Sequence, residues 1–216
     1  MLLILMMVGL LLASCGSFNK GKAEESIDEV DVEYLSRDST VYGICGRESS
    51  MNSLQLVTDA GDTLMLPIFD AQEAGKVFGG IKTGDRLAVI CNRDSTTAVM
   101  VINLSDLLGD WVMEDPIDGS GEVGISIKDG GVAESINYTT IQYVSWRLIN
   151  GKLEVVNNRD DGVDFEEVGL YDILYIGPDS LAYKNDEESF SYHRQRPSNE
   201  PHYVDTEDTS FDDFLY

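Results

Sequence analysis

From Ser39 onward, apolar and polar residues alternate in short runs that are broken at close intervals by Gly, Asp, Asn and Pro. A period of two over runs this short predicts half-buried β-strands rather than helices. In the first stretch the runs are 39–46, 53–58, 63–67, 86–92 and 97–104. Asp59-Ala60-Gly61-Asp62 has the composition of a hairpin turn, and residues 69–77 suit one or two helical turns. Gly79-Gly80 and Thr83-Gly84-Asp85 then read as turns. Five strands with a short helix after the third predict a small barrel of OB or SH3-like type. The second stretch carries runs at 109–114, 121–128, 132–137, 141–148, 152–156, 166–176, 181–183 and 190–194. Turns are expected at Asp129-Gly130-Gly131, Asn150-Gly151, Asp160-Asp161-Gly162 and Gly177-Pro178-Asp179. Asn-Gly between apolar runs is the strongest short hairpin signal. Eight short strands joined by tight turns predict an up-and-down antiparallel barrel, whose closure leaves no exposed edge. The expected fold class is therefore all-β, with two small antiparallel barrels in tandem. The first would span residues 38–105 and the second 106–196.

The flanks follow a different pattern. MLLILMMVGLLLASC is an apolar run of about thirteen residues that ends in small residues and a cysteine, against the roughly twenty that a spanning helix needs. Leu12-Ala13-Ser14-Cys15 resembles the lipobox of bacterial lipoproteins, although no Lys or Arg precedes the apolar core. The resemblance implies a signal peptide over 1–14, cleavage before Cys15 and acylation of that cysteine, which would anchor a water-soluble body to a membrane. Residues 15–37 read as the lipidated cysteine and an acidic tether, and 197–216 as a disordered acidic tail. Some Bacteroidetes-type lipoproteins carry an acidic export signal directly after the acylated cysteine. Here Gly16-Ser17-Phe18-Asn19-Lys20 intervenes before the first acid, Glu24. The expected location is thus the cell envelope, on an outer membrane facing the periplasm.

Composition adds one exclusion. The 216 residues hold 39 acidic and 15 basic side chains, a net charge of −24. Such a body repels phosphate backbones and anionic headgroups, so nucleic acid is not an expected partner and membrane attachment falls to the lipid. The 43% hydrophobic content suits a folded core.

Besides Cys15, the cysteines are Cys45 and Cys91, each at the end of a strand-like run. Outside the cytoplasm a disulfide between them is chemically permitted. Two buried free thiols give the same sequence pattern.

Within the second stretch, Gly109-Asp110-Trp111 resembles the G-x-W signature that opens lipocalin-like barrels. Gly124-Ile125-Ser126-Ile127, Ser135-Ile136-Asn137 and Ile141-Gln142-Tyr143 follow it, with a second Trp at 146. This set is similar to the lipocalin-like domain of Bacteroides-type lipoproteins and covers about ninety residues, under half the chain. The resemblance implies that Trp111 closes one barrel end under a late arginine, Arg194 or Arg196. If a ligand pocket exists, Trp146 and Tyr143 are its expected wall residues; their opposite parity requires a bulge between them. Ile125, Ile127, Ile141, Tyr143, Leu148 and Tyr175 are expected to face inward.

No HExxH, CxxC or G-x-S-x-G motif is present. The loop Asn157–Gly162 fails as a calcium loop, since Arg159 and Val168 fall where oxygen ligands are needed. His193 reads as a strand-surface residue, and no cofactor is implied. The expectation is a non-enzymatic envelope lipoprotein acting as an interaction or structural module. One alternative is a barrel that binds a small apolar ligand. Another, by analogy with lipoproteins of similar architecture, is envelope-stress sensing.

Overall fold

The computed structural model describes residues 38–117, 119–138, 140–159 and 166–196. The expected signal peptide, Cys15, tether, acidic tail and Asp160-Asp161-Gly162 turn lie outside these residues. The described strands form two sheets.

The first sheet contains β1 (Thr40–Cys45), β2 (Ser53–Thr58), β3 (Thr63–Pro67), β4 (Val77–Phe78), β5 (Arg86–Cys91) and β6 (Ala98–Asn103), in the order β3-β2-β1-β5-β6-β4. A short helix, Phe69–Glu73, follows the third strand. Five of the strands were expected; the sixth, β4, has two residues and pairs parallel to β6. A run that short shows no alternation, so only tertiary pairing reveals it. Leu54, Leu56, Leu66, Leu87, Val89 and Val101 are completely or almost completely buried in the sheet's own core.

Cys45 and Cys91 both belong to that core, and both are free. The disulfide allowed by sequence is therefore not formed. Antiparallel pairing sets Ile44 opposite Arg86 and Thr40 opposite Ile90, which places the two cysteines at opposite ends of the β1–β5 pair. That is roughly 20 Å along extended strands, far beyond the reach of a disulfide. The Cys45 thiol lies 3.3 Å from Ser49 Oγ, and burial pushes the Cys91 thiol pKa up.

The second sheet holds β7 (Gly109–Glu114), β8 (Glu122–Ile127), β9 (Ala133–Ile136), β10 (Ile141–Ile149), β11 (Lys152–Arg159), β12 (Glu166–Ile176), β13 (Ser180–Lys184) and β14 (Ser189–Arg194). Its order is β10-β11-β12-β13-β14-β7-β8-β9, with every pair antiparallel. The last strand pairs with the first, Arg194 opposite Trp111, and the ends of the order meet at a single bridge, Val132 to Ser145. The result is an eight-stranded, nearly closed antiparallel barrel.

One core runs from the first sheet into the barrel. Phe78, Ala88, Ile102 and Leu104 are buried in one cluster with Leu107, Trp111, Ile127 and Leu148. Tyr42 Oη donates to Leu148 O at 3.1 Å, and Gly79 N donates to Ile176 O at 3.1 Å. The first sheet therefore covers the barrel end where β10 and β12 finish.

The Asn150-Gly151 turn docks at the same place. Both residues have positive φ, 49° and 79°, as a tight hairpin of this hand requires. Asn150 Oδ1 accepts from Ser39 N at 2.9 Å, and a Cβ on Gly151 would run into Met100 Sδ. Gly151→Ala should lower stability by about 1–2 kcal/mol, from left-handed strain plus the clash. A reduced urea midpoint at unchanged slope is the expected readout.

Candidate functional site

The two ends of the barrel are built differently. At the covered end, Trp111 is 0% exposed and its indole Nε1 donates to Leu107 O at 2.8 Å. Arg194 lies over the ring, with Cζ 4.1 Å from its centroid. Arg194 therefore occupies the position for which sequence left Arg194 and Arg196 as alternatives. Its guanidinium donates to Asp106 O at 2.7 Å, Leu108 O at 2.9 Å and Pro178 O at 2.6 Å. The fork thereby satisfies carbonyls at the end of the short helix Leu104–Leu107 and in the β12–β13 turn.

Gly109 explains the first letter of the G-x-W pattern. Its φ is 141°, and a Cβ there would strike Arg194 Nη1. The middle residue of the pattern, Asp110, faces outward and accepts from Ser126 Oγ at 2.5 Å.

The inner face of the barrel follows from register. Trp111 pairs with Ile125, Leu148 with Leu153, Leu153 with Tyr171, and Leu181 with Tyr192. Ile125, Ile127 and Leu148 are buried as expected, and Ile141 and Tyr143 are half-buried. Tyr175 departs from expectation: it is 53% exposed. A register shift between Ile173 and Tyr175 turns it outward and brings Ile176 in instead.

A second shift, between Tyr143 and Ser145, supplies the bulge that the parity of Tyr143 and Trp146 demands. Trp146 is buried in the core with its Nε1 donating to Lys128 O at 2.7 Å, and Tyr143 packs against the same cluster. The structure thus puts both expected wall residues on the inside.

Farther from the covered end the interior turns aromatic. Tyr183 tilts against Tyr171, Phe190 and Tyr192 with centroids 5.1, 5.3 and 5.7 Å away. Phe190 stacks on Tyr192 and meets Tyr171 edge-on, while Tyr138 meets Tyr143 edge-on at 6.1 Å. The Tyr171 ring lies back over Gly169, since a Cβ on that glycine would meet it. Tyr171 Oη donates to Glu188 Oε2 at 3.2 Å.

Asn157 on β11 is only 7% exposed, with no hydrogen-bond partner for Oδ1. It shares the inner face of β11 with Leu153 and Val155, and stands opposite Tyr143 on β10 and Glu167 on β12. A buried carbonyl oxygen without a donor is unfavourable by about 1–3 kcal/mol, which makes the position stand out. Sequence placed Asn157 in a loop before Asp160-Asp161-Gly162; it is instead in the continued strand β11. Tyr171, Phe190 and Glu188 were also missed. The available signal was the run of aromatic residues at alternate positions on the last strands, Tyr183, Phe190 and Tyr192.

Burial pushes the phenols of Tyr138, Tyr171, Tyr183 and Tyr192 above their ordinary value of 10.0, and Glu188 adds to the effect at Tyr171. The folded state then keeps these protons at pH values where the unfolded chain has lost them. Their contribution is complete below pH 10 and falls away as pH rises beyond it. Phenolate absorbance in an alkaline titration should therefore show a group of tyrosines that ionise late and together with unfolding. Ordinary titration of every tyrosine near 10 in the folded protein would contradict this burial.

Residues outside the barrel interior take surface roles. His193 is exposed, with Nε2 2.9 Å from Glu122 Oε1. Among the described residues, no group of three or more His, Cys, Asp and Glu is placed to hold a metal ion.

Comparison with known proteins adds the family. The lipocalin-like family profile matches residues 103–195. No match was found among curated proteins. Among solved structures, the crystal structure of a lipocalin-like protein from Bacteroides thetaiotaomicron is 32% identical, over 42% of this chain and 97% of that one, with a TM-score of 0.38. Residues 103–195, which hold the eight-stranded barrel and the G-x-W turn, belong to the lipocalin-like family.

Proposed function

We propose that this is a non-catalytic envelope protein, held on a membrane by lipid on Cys15, whose barrel takes a small ligand through the end away from the first sheet. Signal-peptide cleavage before Cys15 and the tether over 15–37 belong to the same reading, which places the body on the periplasmic side of an outer membrane. The observation that carries it is Asn157: a nine-tenths buried amide whose Oδ1 has no donor, opposite Tyr143 on the inner face of the barrel. Ligand pockets have this composition, an apolar and aromatic wall with few polar groups that fix orientation.

The test separates structural from functional use of the amide. If Oδ1 is kept for a ligand, Asn157→Leu should stabilise the empty protein by about 1–2 kcal/mol, because an unpaired buried acceptor is removed at nearly constant volume. A fold destabilised by that change would mean that the acceptor is already satisfied, and the reading would fall.

A second reading has its own observation. Val168, Leu170 and Leu174 are exposed on the outer face of β12, where an envelope partner could dock. This is the interaction role first expected from sequence, and the two uses engage opposite faces of the same strand.

A further inference from the structure

A cleft of about 460 Å³ opens on the surface where β4, the edge strand of the first sheet, meets the end of β12. Gly79 N donates to Ile176 O and joins the two walls. Val77, Phe78, Leu174, Tyr175 and Pro178 give the cleft an apolar lining. The Tyr175 ring lies back over Gly177, since a Cβ on that glycine would meet it, yet Leu174 and Tyr175 stay exposed. Large apolar side chains left open in a concave site mark a place that another apolar group covers. The charges at the cleft balance. Lys82 and Asp106 line it, with the Asp106 carboxylate accepting from Gly80 N at 2.8 Å, and Lys76 and Asp179 adjoin the lining residues Val77 and Pro178. The whole chain carries −24, so a neutral cleft is a place where an acidic segment meets little repulsion.

The chain itself brings an occupant to this spot. Arg194, at the end of β14, donates to Asp106 O and Pro178 O in the cleft wall, and the described residues end two positions later at Arg196. Beyond them, residues 211–216 carry four large apolar side chains, Phe211, Phe214, Leu215 and Tyr216, around Asp212 and Asp213. The fourteen residues between Arg196 and Phe211 can span up to roughly 50 Å, ample for a cleft whose wall is bonded to Arg194. Attachment at this range sets an effective concentration on the order of millimolar, at which even a weak apolar contact is substantially filled. We infer that segment 211–216 docks in this cleft, with Phe214 against Leu174 and Tyr175 and its acids beside Lys82. The inference does not depend on a ligand in the barrel. Leu174 also belongs to the exposed face of β12, so the docked segment shields one end of that face from an outside partner.

The photoreactive residue p-benzoylphenylalanine, placed at position 214 of the full chain, tests it. On irradiation, crosslinks within the chain should fall on 76–82 and 174–178, as read by mass spectrometry of the digest. Leu174→Ser combined with Tyr175→Ser, both at exposed positions, should lower that yield by at least about fivefold. Lys82→Glu should lower it by only about twofold, because an exposed ion pair is weak. Phe211→Ser leaves the cleft intact and should lower the yield by about threefold, which keeps the test decisive if the paired substitution unfolds the protein. Crosslinks scattered over the surface, absent from the cleft, or unchanged by these substitutions would overturn the docking. Crosslinks to the cleft of a second chain, lost on dilution, would overturn it too and assign the cleft to another copy. None of these results bears on ligand binding inside the barrel.

Discussion

Replacing Trp111 with alanine should reduce stability by about 3–5 kcal/mol, the range for removing a fully buried large side chain. Three losses coincide there. The indole is 0% exposed within the cluster that joins the barrel to Phe78, Ala88 and Ile102 of the first sheet. Its N–H to Leu107 O disappears, and Arg194 loses the ring beneath it. For a chain of this size, the thermal midpoint should fall by roughly 10 °C. Trp111→Phe keeps most of the apolar volume but not the indole N–H, so its effect should be well under half as large. Equal effects of the two changes would show that the hydrogen bond, rather than packing, dominates at this position.

Arg194→Ala should be the next largest, at about 2–4 kcal/mol. Three backbone carbonyls, of Asp106, Leu108 and Pro178, lose their donor together. The site is only half-buried, and water can replace some of these bonds, which keeps the effect below the sum of its parts. Arg194→Lys retains the charge over Trp111 but offers no planar fork, so it should recover less than half of the loss. Because Arg194 and Trp111 touch, the double substitution should be less destabilising than the two single effects added. Denaturant titration of the four proteins measures that coupling; strict additivity would contradict the stacked geometry.

These two residues also show how the closed end was readable. Gly109 and Trp111 form a local signature, and Gly109 is required because Arg194 passes where its Cβ would be. Most strands were equally plain, since alternation over 53–58, 63–67, 109–114 and 166–176 matches β2, β3, β7 and β12 at both ends. Asn150-Gly151 specified its hairpin through the positive φ it tolerates.

What stayed hidden depends on contacts between distant residues. The two-residue strand β4 exists only because β6 offers it an edge. The bulges beside Val144 and Leu174 decide which of Tyr143, Trp146 and Tyr175 face inward, and strict period-two reading cannot locate an extra residue. The cysteines of β1 and β5 share a face pattern, yet register sets them at opposite ends. Asn157 was obscured by its neighbours: Asn158, Arg159 and the acids beyond have loop-like composition, although β11 continues through them to Arg159. The open end of the barrel therefore came into view only with the register of β10, β11 and β12.

The same register explains why the two barrel ends are built differently. The end under the first sheet is packed and hydrogen-bonded through Trp111, Arg194 and Tyr42. The other end keeps an unpaired acceptor and a tyrosine bonded to a glutamate. Local opening is expected at low-stability places of this kind, and a ligand must pass through one.

Native mass spectrometry of the full chain, purified under mild conditions from the cells that make it, tests the ligand-binding barrel most directly. The expected result is a reproducible adduct of a few hundred daltons, lost on denaturation and reduced in Asn157→Leu. A ligand-free mass for protein shown to be folded, the same in wild type and variant, would contradict it and leave the exposed face of β12 as the working surface.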